Sequence, residues 1–175
     1  MDLGLRGKRA IVAAASRGLG AAIAHTLAAE GCRVEICSRS LVRAEETARS
    51  ISEETGTQVG AAELDVTDSA GIRAWVESAA EGMGGLDIVV PNAGGPPAGT
   101  FDQTDEDAWD NAYALTLRSA MAFASAAKPH LSGGGSLLYL TSSSVKEPIS
   151  MLSMSNIFRA GVATLAKTLA SDWAS

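Results

Sequence analysis

Along this chain short apolar runs alternate with segments of helical periodicity, and that alternation restricts the fold more than any other feature. Residues 8–14 form an apolar run, followed by a glycine-containing turn and an alanine-rich helical stretch to Glu30. Residues 33–37 read as a strand and the charged residues 41–54 as a helix. The pair recurs at 58–64 and 69–81, where Ile72, Trp75, Val76 and Ala79 share one helical face. Residues 86–90 are a buried-strand run, and 105–131 predict one long helix whose acidic start suits its dipole. A fifth strand at 136–141 and a last helix at 153–173 complete the series. Strands alternating with helices imply βαβ units, and so a parallel sheet with helices on both faces. Five strands fit the doubly wound, Rossmann-like order 3-2-1-4-5. The expectation is a single α/β domain over residues 1–175. The sequence stops in a helical pattern without a glycine cap or proline, and a six-stranded sheet needs one more strand. The reading is therefore of a domain whose C-terminal part is missing.

A formal net charge of −6 argues against a nucleic-acid binder, which usually carries a basic stripe. No stretch approaches the ~18 uncharged apolar residues that cross a bilayer, and residues 1–8 lack the apolar core of a signal peptide. A cytoplasmic protein is expected, without membrane or nucleic-acid partners. Cys32 and Cys37 have an odd spacing that points them to opposite faces of a strand, so both read as small buried hydrophobes. His25 and His130 are isolated and read as surface residues, and no grouped ligand set marks a metal site. The acidic run 102–110 reads as a solvated helix start.

The turn A-A-A-S-R-G-L-G at 13–20 follows the first strand and opens the first helix. There, glycines let backbone approach a pyrophosphate while the helix N-terminus offers free N–H groups and positive potential. The segment resembles the T-G-x-x-x-G-x-G turn of the short-chain dehydrogenase/reductase family. Gly18 and Gly20 match its last two glycines, and Ala13 and Ala14 replace the Thr and the first Gly. Pro91-Asn92-Ala93-Gly94 is similar to the family's N-N-A-G, Asp65-Val66 ends the third strand as there, and Ser142 stands at the place of its catalytic serine. The resemblance implies cofactor contacts at Ala14, Ser16, Arg17, Gly18, Leu19, Gly20, Asp65, Val66, Asn92, Ala93 and Gly94. An acid at the end of the second strand would favour NAD. This chain has Ser38-Arg39 there, with Arg17 as a second cation, and a guanidinium pair suits a 2′-phosphate. NADP(H) is the expected cofactor.

In the family, Asn, Ser, Tyr and Lys carry the chemistry, the last two as Y-x-x-x-K. By position the counterparts here are Thr116, Ser142, Ser155 and Arg159. Ser155 is a poor proton donor near neutral pH, and Arg159 stays charged and cannot relay a proton, although it can hold ribose hydroxyls. Losing a positioned general acid typically costs ~10²–10⁴ in rate. Tyr113, on the long helix, and Tyr139, in the fifth strand, read as packing residues with hydrogen-bonded hydroxyls. Two functions stay open. One is an NADP(H)-dependent oxidoreductase acting on a small carbonyl or alcohol, resembling 3-oxoacyl-(acyl-carrier-protein) reductases. The other is an NADP(H)-binding protein with little or no redox activity. The resemblance also implies a homo-dimer or homo-tetramer joined through the long helix and the last one.

Overall fold

The computed structural model describes residues 3–131 and 133–174. Five strands, β1 (Arg9–Val12), β2 (Arg33–Ser38), β3 (Val59–Glu63), β4 (Ile88–Val90) and β5 (Ser136–Leu137), form one parallel sheet in the order β3-β2-β1-β4-β5. The helices are α1 (Gly18–Ala29), α2 (Leu41–Thr55), α3 (Ser69–Met83), α4 (Glu106–Tyr113), α5 (Ser119–Ala127) and α6 (Ser153–Asp172). Alternation along the strands sorts the core into two layers. Ala10, Val12, Val34, Ile36, Ile88 and Val90 face α1 and α2. Ile11, Ala13, Cys37 and Val89 face α3 and α5, where Phe123 meets Trp75 edge to face. Cys32 and Cys37 lie in opposite layers, both free and buried, although Cys32 precedes β2 rather than belonging to it. Burial pushes the Cys37 thiol up to about 12.

Helix ends follow local chemistry. Ser40 and Asp68 accept from first-turn N–H groups of α2 and α3, and Gly56 and Gly84 close these helices in the left-handed conformation.

Two element boundaries need correction. The helix expected over 105–131 is not continuous: α4 passes through a π-helical turn, Ala114–Arg118, into α5, and a 3-10 turn, Lys128–His130, ends it. The strand expected at 136–141 pairs at only two positions, which leaves Tyr139 beyond it. Leu138 N–H still donates to Val89 O. The next rung needs a donor from Pro91, which has no N–H, so the ladder stops there. Tyr139 instead donates its hydroxyl to Ala120 O at 3.3 Å, and burial pushes that phenol up to about 12. His25 is also less isolated than expected, since its Nε2 lies 3.1 Å from Glu54 Oε2. No helix among the described residues is long and apolar enough to cross a membrane.

Candidate functional site

The carboxyl ends of β1, β2 and β4 meet at the turn that opens α1. Ala13 N–H donates to Val90 O at 3.0 Å and Ala15 N–H to Cys37 O at 2.9 Å, so the turn is tied to both neighbouring strands. Between them Ala14 is left-handed, with φ 48°, a conformation that opposes a side chain by roughly 1–2 kcal/mol. Its carbonyl accepts from Asn92 Nδ2 at 3.3 Å, which joins the turn to the segment after β4. Gly20 permits this crossing. A Cβ there would lie 2.7 Å from Ala14 O and 2.9 Å from Asn92 Nδ2. Arg17 precedes α1 in extended conformation and gives no side-chain cap, so the first-turn N–H groups of α1 lack a side-chain partner.

Above this turn lies a cleft of about 510 Å³. Ala14, Ser16, Arg17, Gly18, Leu19 and Gly20 form its floor. Ser38 and Arg39 come from the end of β2, Asp65 and Val66 from beyond β3, and Asn92, Ala93 and Gly94 from beyond β4. The structure thus gathers every residue expected at a cofactor except Arg159 around one space. Ser38 is buried and donates its hydroxyl to Ser40 O at 2.8 Å, so it shapes the loop, whereas Arg39 is exposed at the rim. Asp65 Oδ1 accepts from both the N–H and the hydroxyl of Thr67, at 2.9 and 2.8 Å.

Sequence reasoning missed four lining residues: Arg43, Leu64, Gly95 and Leu115. Arg43 was readable, because Ser40 caps α2 and sets Arg43 in its first turn, facing the Arg39 rim. Leu115 was not, because it reaches the cleft from the π-helical turn.

The four positions expected to be reactive lie on three elements that meet at α6. Ser142 caps a 3-10 turn, Ser143–Val145, its oxygen accepting from Ser144 N–H at 3.1 Å. Ser155 is half-buried in the first turn of α6, and Arg159 lies one turn on. The Arg159 Nη1 donates to Leu140 O, two residues before Ser142, and burial pulls its guanidinium below the usual value. Arg159 therefore ties α6 to the strand end and does not line the cleft. Thr116 is buried in the π-helical turn, which packs on α6, and its hydroxyl has no partner. Gly161 allows that contact, since a Cβ there would lie 3.1 Å from Leu117. Two flanking loops are stitched together as well. Gly99 N–H donates to Met151 O at 2.7 Å, and Asn156 bonds Ile149 through both its amide atoms, at 3.3 and 2.9 Å. Tyr113 packs against Phe158 on the outer side of α4.

Residues 13–175 match the family model described as enoyl-(acyl carrier protein) reductase. A short-chain dehydrogenase from Burkholderia cenocepacia, solved in complex with NADP, is 36% identical with a TM-score of 0.90, the alignment covering 96% of this chain and 69% of that one. L-sorbose reductase from Gluconobacter frateurii, solved with NADPH and L-sorbose, is 32% identical with a TM-score of 0.94, covering 98% and 66%. D-threitol dehydrogenase of Mycolicibacterium smegmatis is 28% identical over 174 residues, 98% of this chain and 66% of its own. The chain spans between 44% and 66% of the length of the curated relatives it matches.

Proposed function

The chain belongs to the short-chain dehydrogenase/reductase family, and from that premise we propose that it holds NADP(H) in the cleft above residues 14–20 and interconverts a small carbonyl and its alcohol. One observation carries the choice of cofactor. Three guanidiniums, Arg17, Arg39 and Arg43, line the cleft, and the end of β2 offers no carboxylate to a ribose 2′-hydroxyl. A 2′-phosphate suits such planar, charged donors. The uncapped start of α1 and the close crossing at Gly20 fit a pyrophosphate. Asn92, Ala93 and Gly94 flank the other arm of the space.

A bound nicotinamide would supply or take up the hydride. The chain's own part is to bind, orient and manage the proton. Ser142 keeps its oxygen on Ser144 N–H, leaving the hydroxyl hydrogen to donate to a substrate oxygen. Arg159 holds the strand end and stays charged, so it relays no proton. Ser155 offers a hydroxyl where a phenol would serve better as acid. A 3-oxoacyl thioester is the substrate class this reading puts first, in a cytoplasmic homo-oligomer joined through α4, α5 and α6.

A second reading draws support from Ser155 and from the internal bond of Arg159. In it the chain binds NADP(H) with little or no redox activity. Fluorescence titration with NADPH and NADH, followed by turnover on ketones and 3-oxoacyl thioesters, separates the two. Saturable NADPH binding without turnover favours the second. Arg39→Asp should weaken NADPH much more than NADH, because a charge-assisted contact is worth ~1.5–3 kcal/mol. Equal loss for both cofactors overturns the phosphate-reading role. Light scattering that finds a monomer at micromolar concentration overturns the assembly.

A further inference from the structure

The π-helical turn has no proline or glycine to explain it. Ser119 stands at its C-terminal end. The Ser119 N–H passes over the α-helical acceptor Leu115 O and donates to Ala114 O, five residues back. The vacated Leu115 O accepts the Ser119 hydroxyl at 2.6 Å, with Thr116 O 3.3 Å from the same oxygen. Ser119 thus widens the turn with its backbone and satisfies the freed carbonyl with its side chain. It is only 3% exposed, so bulk water does not replace it.

Two residues of that widened turn stand out. Leu115 reaches the wall of the cleft from it. Thr116, also 3% exposed, keeps a hydroxyl without a partner, an arrangement that opposes folding and persists only where the surroundings impose it. Single π turns inside α-helices occur frequently at functional sites.

We propose that Ser119 is a positioning residue for the dinucleotide cleft: its N–H and hydroxyl together hold the π turn that sets Leu115 into the cleft wall and keeps the Thr116 hydroxyl buried and unpaired where the turn packs on α6. This role rests on the NADP(H) reading of the cleft. Alanine at 119 would either strand Leu115 O or let the N–H fall back onto it. The second outcome closes the turn to α and rotates the preceding residues by ~100° relative to α5. Threonine keeps a hydroxyl able to bond four residues back.

The test is NADPH titration by fluorescence on the full chain and on S119A, S119T and F123L. Phe123 is buried in α5 against Trp75 and does not line the cleft, so F123L serves as a stability control. S119A should bind NADPH about tenfold more weakly, and S119T within about twofold of the unaltered chain. F123L should lower the Tm at least as far as S119A and leave NADPH affinity unchanged. Equal affinity in S119A overturns the role. Equal weakening in F123L also overturns it, because lost stability alone would then explain the effect. If S119A does not fold, S119C replaces it: the thiol is a weak donor of similar size, and it should weaken NADPH binding several-fold while unchanged affinity overturns the role. If the unaltered chain fails to bind NADPH, the reading of the cleft itself falls, and that shows before any substitution is made.

Discussion

β2 and β5 lie on opposite sides of β1 in the same sheet but are held differently. β2 pairs with β1 at four positions and with β3 at five, whereas β5 meets β4 at two. The half from β1 to β4 is held chiefly by strand ladders and by a turn hydrogen-bonded to both neighbouring strands, with side-chain contacts such as Arg9–Asp87 and the Ser40 and Asp68 caps added to them. Around α6, side chains do more of the holding. Arg159 holds Leu140 O, Asn156 holds Ile149 and Ser119 holds Leu115 O. Backbone contacts survive most substitutions, while side-chain contacts are specific to the residue that makes them.

The strongest way to test that contrast is to install a tyrosine and a lysine on α6. Ser155→Tyr with Arg159→Lys should create or raise ketone reduction by ~10²-fold or more, read as NADPH oxidation, because a phenol beside a lysine can move a proton. Each change alone should do less. If the unaltered protein already reduces ketones at an ordinary rate, with a pH dependence set by another group, the acid is misplaced. Ser142→Ala then becomes the deciding variant, expected to abolish turnover and spare NADPH affinity.

Next come two glycines, one in each half. Gly20→Ala drives a Cβ into backbone at 2.7 Å and should remove NADPH binding and destabilise by ~1–3 kcal/mol or more. Gly161→Ala meets only the end of the Leu117 side chain, which can shift, so its thermal midpoint should move far less. Equal effects would mean that the two halves are equally rigid.

Smaller effects belong to ionisable groups between β1 and β4. Glu35 accepts from Trp75 Nε1 at 2.6 Å, and its burial holds the carboxyl above the usual range. Glu35→Ala leaves the indole N–H unpaired and should cost ~1–3 kcal/mol. A raised carboxyl is protonated more readily in the fold, so its contribution weakens as pH rises from about 4.5 through the folded value. Asp87 has the opposite sign. Its hydrogen bonds with Arg9 hold it at about 2, so its contribution is present above the ordinary aspartate value of 3.8 and is lost as pH falls towards 2. Chemical denaturation from pH 2 to 7 should show a flatter acid limb in Asp87→Asn and a flatter slope above pH 4.5 in Glu35→Gln. The smallest change is Ala14→Gly. It relieves the left-handed backbone but loosens the unfolded chain, for a net shift within about 1 kcal/mol.

The same contrast explains what could be read in advance. Strand order and the phosphate-type turn were legible because alternation along β1, β2 and β4 records two buried faces, and Gly18 and Gly20 record a backbone need. The π turn was not, because residues 105–131 keep helical periodicity throughout, and a single serine hydroxyl, common in any helix, makes the break. The short β5 was hidden for another reason: apolar residues continue to Leu140, but pairing ends on the partner's side, at Pro91. Arg159 was legible only as a position on the last helix, because its bond to Leu140 O depends on how α6 lies against the segment after β5.

The central position of β1 has a consequence for how the chain folds. One edge of β1 meets β2 soon after it in sequence, whereas the other waits for β4, and the Arg9–Asp87 contact that seals this edge spans 78 positions. Closing so long a loop is entropically opposed, and topologies rich in distant pairings fold slowly. During synthesis, at ~5–20 residues per second, the edge of β1 that β4 will cover stays open for several seconds after β2 has emerged. In that interval its backbone donors and acceptors can pair with the wrong strand.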